Sequence, residues 1–227
     1  MQIQSRKSKI LNMLRVTEIF RSIQGESTHA GRPCSFIRLT GCPMRCRWCD
    51  SEYTFTGGEQ MAIEDILTQI RAFGCDLVEV TGGEPLAQKN VFELISQLCD
   101  EDFEVLIETG GFVSTERVDA RAKIILDVKC PASGEATRNY WQNLERLRKD
   151  VDEVKFVVTN LADLQFAGQI IESHDLEHRA KAILISPIFG LENLPEFAIW
   201  VAASKLKNVR MQLQLHKYIW GANVHGV

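Results

Sequence analysis

The sequence predicts an α/β fold built on a largely parallel sheet, and three observations predict it. Short β-rich runs alternate with segments of helical period, the pattern of strands joined by crossover helices. Nearly every conspicuous polar or glycine-rich segment follows the end of a strand-like run, and α/β folds build their sites at the C-terminal edge of the strands. The chain has 227 residues, a length that one barrel-like domain can fill undivided.

Taken in order, residues 1–12 are polar and aperiodic and are expected to be a disordered extension, so that 13–227 form a single domain. Strand-like runs follow at 34–40 (CSFIRLT), 77–81 (LVEVT), 104–108 (EVLIE), 124–129 (IILDVK), 154–158 (VKFVV), 182–186 (AILIS) and 210–215 (RMQLQL). Between them, Ile63, Ile66, Ile70 and Phe73 recur at helical spacing with Gly74 as a stop, and Val91, Leu94, Ile95 and Leu98 repeat the pattern. Weaker helical periods lie at 138–150, 161–173 and 194–206; Trp141, Leu144 and Leu147 make a buried stripe in the first. Segments 50–60 and 109–120 are irregular and read as loops. His174 and His178 stand four apart, but Glu172, Asp175, Glu177 and Arg179 around them mark a solvated face rather than a metal site.

Lys plus Arg number 26 and Asp plus Glu 30, a formal net charge of -4. A mildly acidic chain without a basic stripe is poorly suited to a nucleic-acid backbone, so no nucleic-acid partner is expected. No run approaches the roughly 20 apolar residues of a membrane span, and no apolar stretch follows Arg6, Lys7 and Lys9 as in a secretory signal. Seven cysteines is an odd count. Cys42, Cys46 and Cys49 are crowded together, which fits a metal or cluster site in a reducing cytoplasm better than a disulfide framework. Cys34, Cys75, Cys99 and Cys130 read as structural.

Cys42-x-x-x-Cys46-x-x-Cys49 is the strongest local signal. Thiolates are soft ligands for iron–sulfur clusters or zinc, yet closed zinc sites and ordinary 4Fe–4S carriers take four protein ligands. Three thiolates on a four-iron cube leave one iron open to chelate a small molecule. Gly82-Gly83-Glu84-Pro85 follows the next strand, where adjacent glycines allow backbone to approach a ligand and a carboxylate can accept from an ammonium group.

Together these segments resemble the radical S-adenosylmethionine (SAM) superfamily. The resemblance implies a modified partial (β/α) barrel and a 4Fe–4S cluster on Cys42, Cys46 and Cys49. It implies SAM on the open iron, contacted by Gly83 and Glu84, with Trp48, Asp50, Asp127, Val128 and Lys129 alongside. Three further segments narrow it: Phe20-Arg-Ser-Ile23-Gln24-Gly25-Glu26, Phe36-Ile-Arg38-Leu-Thr, and Gln214-Leu-His216-Lys217-Tyr218-Ile-Trp220. From about residue 14 onward the chain resembles the 7-carboxy-7-deazaguanine synthases. That resemblance implies a lyase of queuosine and 7-deazapurine biosynthesis. Such an enzyme converts 6-carboxy-5,6,7,8-tetrahydropterin to 7-carboxy-7-deazaguanine with loss of ammonia, through hydrogen abstraction by a 5′-deoxyadenosyl radical and ring contraction. It also implies a magnesium ion near Ser51, a homodimer, and an external electron donor such as flavodoxin. Residue types suit the substrate: Arg38 offers a planar fork for its carboxylate, Ile23, Gln24, Gly25 and Glu26 its guanidine-like edge, and Thr81 and His216 further contacts.

Ser27, Ser51, Ala222 and His225 depart from the family pattern, which expects Gly, Thr, Pro and Arg there. Two alternatives remain: a glycyl-radical-enzyme activase, with similar cysteine spacing but a protein substrate, and a non-catalytic zinc or iron–sulfur binding module. The Gln-Gly-Glu and His-Lys-Tyr segments favour the small-molecule enzyme.

Overall fold

The computed structural model describes residues 12–227. The extension expected at 1–12 therefore lies outside the described residues except for Asn12, whose carbonyl accepts from Ile63 N at 3.1 Å.

One nine-stranded sheet organises the described chain: β1 (Met13–Ile23), β2 (Pro33–Leu39), β3 (Glu59–Ala62), β4 (Leu77–Gly82), β5 (Glu104–Thr109), β6 (Lys123–Lys129), β7 (Glu153–Val158), β8 (Ala182–Pro187) and β9 (Val209–Met211). Their spatial order is β3-β1-β2-β4-β5-β6-β7-β8-β9. From β2 to β9 every pairing is parallel, while β1 runs antiparallel to both β2 and β3. The helices are α1 (Ile63–Phe73), α2 (Val91–Asp100), α3 (Gln142–Glu145), α4 (Leu161–Ser173), α5 (Leu176–Arg179), α6 (Leu194–Ala203) and α7 (Leu215–Trp220).

Side-chain alternation along the parallel strands sets the architecture. Ile37 and Leu39, Val78 and Val80, and Val105 and Ile107 face outward onto Ile66 and Ile70 of α1 and Leu94 and Leu98 of α2. Leu126 and Val128, Val154 and Phe156, and Ile183 and Ile185 face outward onto Leu164 and Ala167 of α4 and Phe197 of α6. Inward-facing Phe36, Leu77, Leu106 and Ile125 make a third, smaller apolar cluster. The inward residues nearer the C-terminal edge are polar: Arg38, Glu79, Thr81, Glu108, Asp127, Lys129 and Lys155.

Four elements differ from expectation. β1 and β3 were not expected as strands: β1 carries Arg15, Glu18 and Arg21 among its apolar residues and is held by pairing on both sides. The run at 210–215 pairs with β8 only over Val209–Met211. Gln212 N still donates to Ile185 O of β8 at 2.9 Å, while its side chain accepts from Ser27 N at 2.5 Å and donates to Glu26 Oε2 at 2.9 Å, and the chain then enters α7. The period at 138–150 yields only the single turn α3, because Asn143 is taken up by the distant loop between β5 and β6. Its amide donates to Gly111 O at 3.2 Å and Val113 O at 2.8 Å and accepts from Thr115 N at 3.0 Å. Leu144 of the expected stripe is buried, with Trp141 and Leu147 packed partly against the same core. His174 and His178 lie on either side of a break at Asp175 (φ 52°): His174 stacks on Trp141 at 5.6 Å and His178 bonds Asp175 at 2.6 Å.

The loop 24–32 between β1 and β2 crosses the interior and closes its floor. Arg32 pairs with Glu104 at the start of β5 at 2.6 Å, Thr28 N donates to Glu153 at the start of β7 at 3.0 Å, and Lys181, just before β8, donates to Thr28 Oγ1 at 3.1 Å. Ser27, at the position expected to be glycine, has the left-handed φ of 63°, and its hydroxyl accepts from His29 N at 3.1 Å.

His29 is buried in this floor, and Arg32 Nη1 lies 2.8 Å from its Nδ1, so that nitrogen is the acceptor. Burial, reinforced by Lys123, Lys181 and Arg32 and partly opposed by Glu104, pushes the imidazole from 6.5 down to about 4. The unfolded chain therefore binds the proton first. The folded state has the full benefit of a neutral His29 above pH 6.5 and loses it as pH falls toward 4. His29→Gln should reduce the stability lost between pH 7 and pH 4.5 by roughly 2 kcal/mol, measured by urea denaturation at the two pH values.

Candidate active site

The polar inward residues of β2, β4, β5, β6 and β7 surround one cavity at the C-terminal edge of the sheet. Loops complete its wall: the cysteine segment after β2, residues 24–26 after β1, and the chain from Gln214 onward. Sixteen of the eighteen residues expected at the site from sequence line it, all but Glu84 and Val128.

Cys42, Cys46 and Cys49 sit half-buried on this wall, each a free thiol. Their loop is shaped by its own groups. Arg45 Nη1 donates to Cys42 O at 2.7 Å and Met44 O at 2.6 Å, with its guanidinium 4.0 Å above the Phe55 ring. Cys49 N donates to Cys46 O at 3.1 Å, and Arg47 N ties the loop to Ser133 O at 3.1 Å. Gly83 lets the loop lie directly on the end of β4: a Cβ there would stand 2.5 Å from Gly41 O and 2.9 Å from Cys42 Cβ. Burial pushes the Cys42 and Cys46 thiols up, and Lys129 pulls the other way. Three soft donors from one short loop, facing a cation across the cavity, suit an iron–sulfur cube with a vacant corner. Among the described residues no three His, Cys, Asp or Glu side chains converge on one ion, and a cube, whose thiolates bind different irons, does not require them to. The other four cysteines are buried in the core.

Opposite the thiols lies a dense set of charges. Lys155 Nζ bonds Glu108 Oε1, Glu26 Oε2 at 3.1 Å, and approaches Asp127 Oδ2 to 3.9 Å. Lys129 Nζ holds the same Asp127 oxygen at 2.8 Å, whereas Asp127 Oδ1 is buried with no partner. Burial raises the Glu26 carboxyl, but Lys155, His216 and the Gln214 amide outweigh it and hold the group below its ordinary value. Glu79 goes the other way: burial, then the nearby Glu108 and Glu26, push it well above the carboxylate range. It accepts from the Gln24 amide, whose oxygen in turn accepts from Glu26 N at 2.9 Å. Arg38 spends Nε on Glu18 Oε1 at 2.7 Å, and its terminal nitrogens have no protein partner among the described residues. Asp50, next to Cys49, accepts from Lys217 at 2.5 Å and Gln214 at 3.2 Å; burial raises its carboxyl, but Lys217 dominates and brings it to about 2. Ser51 Oγ lies 3.7 Å from Cys49 Sγ.

The C-terminal segment completes the cavity. His216 packs over Gly25 so closely that any Cβ there would collide with the imidazole. Burial, reinforced by Lys217 and opposed by Glu26 and Asp50, holds His216 below the usual imidazole range. The departures at Ala222 and His225 both fall on the cavity wall. The His225 ring meets Tyr53 edge-on at 3.9 Å, and Tyr53 Oη donates to Glu18 Oε1 at 2.8 Å, beside Arg38.

Glu84 and Val128 differ from expectation. Val128 alternates outward into the helix-covered core. Glu84 is fully buried, and its carboxylate is taken by Leu86 N at 3.0 Å, Thr109 Oγ1 at 2.8 Å and Gly110 N at 2.8 Å. It pins the glycine turn to the end of β5 instead of facing the cavity. Sequence reading missed Glu79, Glu108 and Lys155. The signal was present: each is a charge at an alternating position among apolar residues of its strand, where burial demands a partner.

The model of the radical SAM superfamily matches residues 36–134, the stretch that carries the cysteine loop and the glycine turn. The 7-carboxy-7-deazaguanine synthase of Chlorobaculum tepidum is 44% identical over 216 residues, covering 94% of this chain and 97% of that protein. That of Koribacter versatilis is 40% identical over 228 residues, covering 94% and 100%. The chain belongs to the 7-carboxy-7-deazaguanine synthase family. The crystal structure of QueE from Escherichia coli shares the fold, with a TM-score of 0.75 at 24% identity over 90% of this chain and 95% of that one. As a radical SAM member of this synthase family, the chain uses a 4Fe–4S cluster and SAM, and the residues around the cavity fit both.

Glu84→Gln keeps an acceptor for Leu86 N and Thr109 but turns an NH₂ group toward Gly110 N. It should cost about 1–3 kcal/mol of stability, measured by chemical denaturation without cofactors.

Proposed function

We propose that this cavity converts 6-carboxy-5,6,7,8-tetrahydropterin to 7-carboxy-7-deazaguanine with loss of ammonia. One observation carries the assignment of roles: a single cavity has three thiols on one side and, on the other, an arginine fork beside ionised acceptors. When bound at this cavity, the cluster and SAM would supply the radical chemistry that begins with hydrogen abstraction at substrate C6.

The chain's own residues bind and orient. Cys42, Cys46 and Cys49 would hold the cluster. The Gly83 backbone, anchored through Glu84, would lie along the methionine part of SAM. Trp48, Asp50, Asp127 and Lys129 would flank its remainder, with Val128 contributing backbone alone. Asp127 Oδ1, buried and unpartnered, is an acceptor waiting for a donor. Arg38 turns its terminal nitrogens toward the substrate carboxylate, a bidentate match. Ile23, Gln24, Gly25 and Glu26 read the guanidine-like edge, and Thr81 and His216 close on the ring. Ser51 offers a hydroxyl to magnesium, a hard ion that takes oxygen ligands and retains water.

We also take 13–227 as one radical SAM domain, supported by the single sheet. A cytoplasmic homodimer fed by a flavodoxin-type donor fits the chemistry. The exposed Tyr218, Ile219 and Trp220 of α7 give a second copy an apolar surface to cover. Among the described residues no helix is long and apolar enough to cross a membrane.

Anaerobic incubation with reductant, SAM and the carboxytetrahydropterin should yield a product with the mass of the deazaguanine acid; its absence from a cluster-loaded, SAM-cleaving preparation overturns the reading. Cys42→Ala, Cys46→Ala or Cys49→Ala should each remove the cluster absorbance and all SAM cleavage. Arg38→Ala should weaken pterin binding roughly 10–100-fold, the loss of a charge-assisted pair, while SAM binding, measured in parallel titrations, stays unchanged.

A further inference from the structure

We propose that Lys155 is a positioning residue: from β7 it holds the Glu26 and Glu108 carboxylates side by side on the cavity wall, as acceptors for a planar edge of N–H donors. The proposal rests on the reading that a pterin enters this cavity.

Lys155 is the inward residue of β7 that faces the carboxylates, and only 5% of its side chain is exposed. Glu26 comes from the loop after β1, Glu108 from β5 and Asp127 from β6, where Asp127 is the register partner of Lys155. The three elements converge on one ammonium, which bonds Glu26 and Glu108 and lies 3.9 Å from Asp127 Oδ2.

Without that cation, carboxylates grouped in a partly dry cavity repel one another, and burial favours their protonation. A protonated carboxyl presents a donor where an acceptor was needed. The remaining groups facing the cluster do not replace the ammonium. Gln212 and Gln214 reach Glu26 as neutral amides at 2.9 and 3.2 Å. Lys129 is committed to Asp127, and Lys217 to Asp50. Burial lowers the His216 imidazole. Glu79 makes the contrast within the same wall: it bonds the Gln24 amide and no cation, and burial together with Glu108 and Glu26 drives its carboxyl up.

The test compares cluster-loaded wild type with Lys155→Met and Lys155→Arg. Infrared difference spectra at neutral pH report protonated carboxyl groups, and anaerobic equilibrium titrations without reductant report pterin and SAM binding separately. Lys155→Met should gain carboxylic-acid absorption, bind the carboxytetrahydropterin on the order of 10–100-fold more weakly, and keep its SAM affinity. Raising the pH should restore its pterin affinity as the carboxyls ionise, and Lys155→Arg should retain most of the binding. The proposal is overturned if Lys155→Met shows no added carboxylic-acid band. It is also overturned if pterin affinity is unchanged in a protein whose wild type binds pterin, or if SAM affinity falls in step. An added band in Lys155→Met, with a wild type that does not bind pterin, upholds the charge-holding role and overturns the substrate reading instead.

Discussion

Charge neutralisation inside the barrel is the constraint on which the rest of this structure depends. Parallel strands covered by helices on one face turn every second side chain toward the interior, and here the interior positions near the C-terminal edge are ionic. An unpaired buried charge costs far more than folding can spare. The wall therefore assembles as ion pairs: Lys155 on β7 with Asp127 on β6 and with Glu108 on β5 beyond it, Lys129 with Asp127 along β6, and Arg38 on β2 with Glu18 on β1. These pairs cross-link the strands that carry the site and keep the groups facing the cavity in defined protonation states.

The two ends of the barrel interior are built differently. The floor is closed by the loop 24–32, whose contacts reach the starts of β5, β7 and β8 and which holds His29 neutral. The open end keeps its polar groups partly unsatisfied, as with Asp127 Oδ1 and the terminal nitrogens of Arg38. Unmet hydrogen-bonding capacity in a packed protein marks a place prepared for a ligand. One loop, 24–32, serves both ends. Its first residues, Gln24, Gly25 and Glu26, form cavity wall, and its later ones seal the base.

The thiols lie on a loop that is seated against Gly83 at the end of β4 and also carries the Asp50 carboxylate, while the other carboxylates and ammonium groups lie on the strands, on loop 24–32 and on the chain after β9. Glu84 joins the halves without entering the cavity, by tying the glycine turn to Thr109 and Gly110. Its buried carboxylate illustrates how a residue beside a ligand-approaching glycine can be needed for geometry alone.

Much of this was legible in the chain itself. The spacing of Cys42, Cys46 and Cys49, the glycines after 77–81, and the alternation of strands with the helical periods at 63–73, 91–100 and 161–173 determine the α/β class, the active edge and the soft-donor site, because they are local patterns with short-range causes. Tertiary structure alone decided the rest. β1 is a strand because β2 and β3 pair with it; the period at 138–150 breaks because Asn143 is claimed by a distant loop; the run at 210–215 gives way to α7 beyond Gln212, whose side chain answers Ser27 and Glu26. Tertiary structure likewise decided that Glu84 turns away from the cavity and that Glu26, Glu108 and Asp127 share Lys155. The partners of a buried charge come from strands up to 129 residues away, and no pattern of neighbours along the chain specifies which of them will meet.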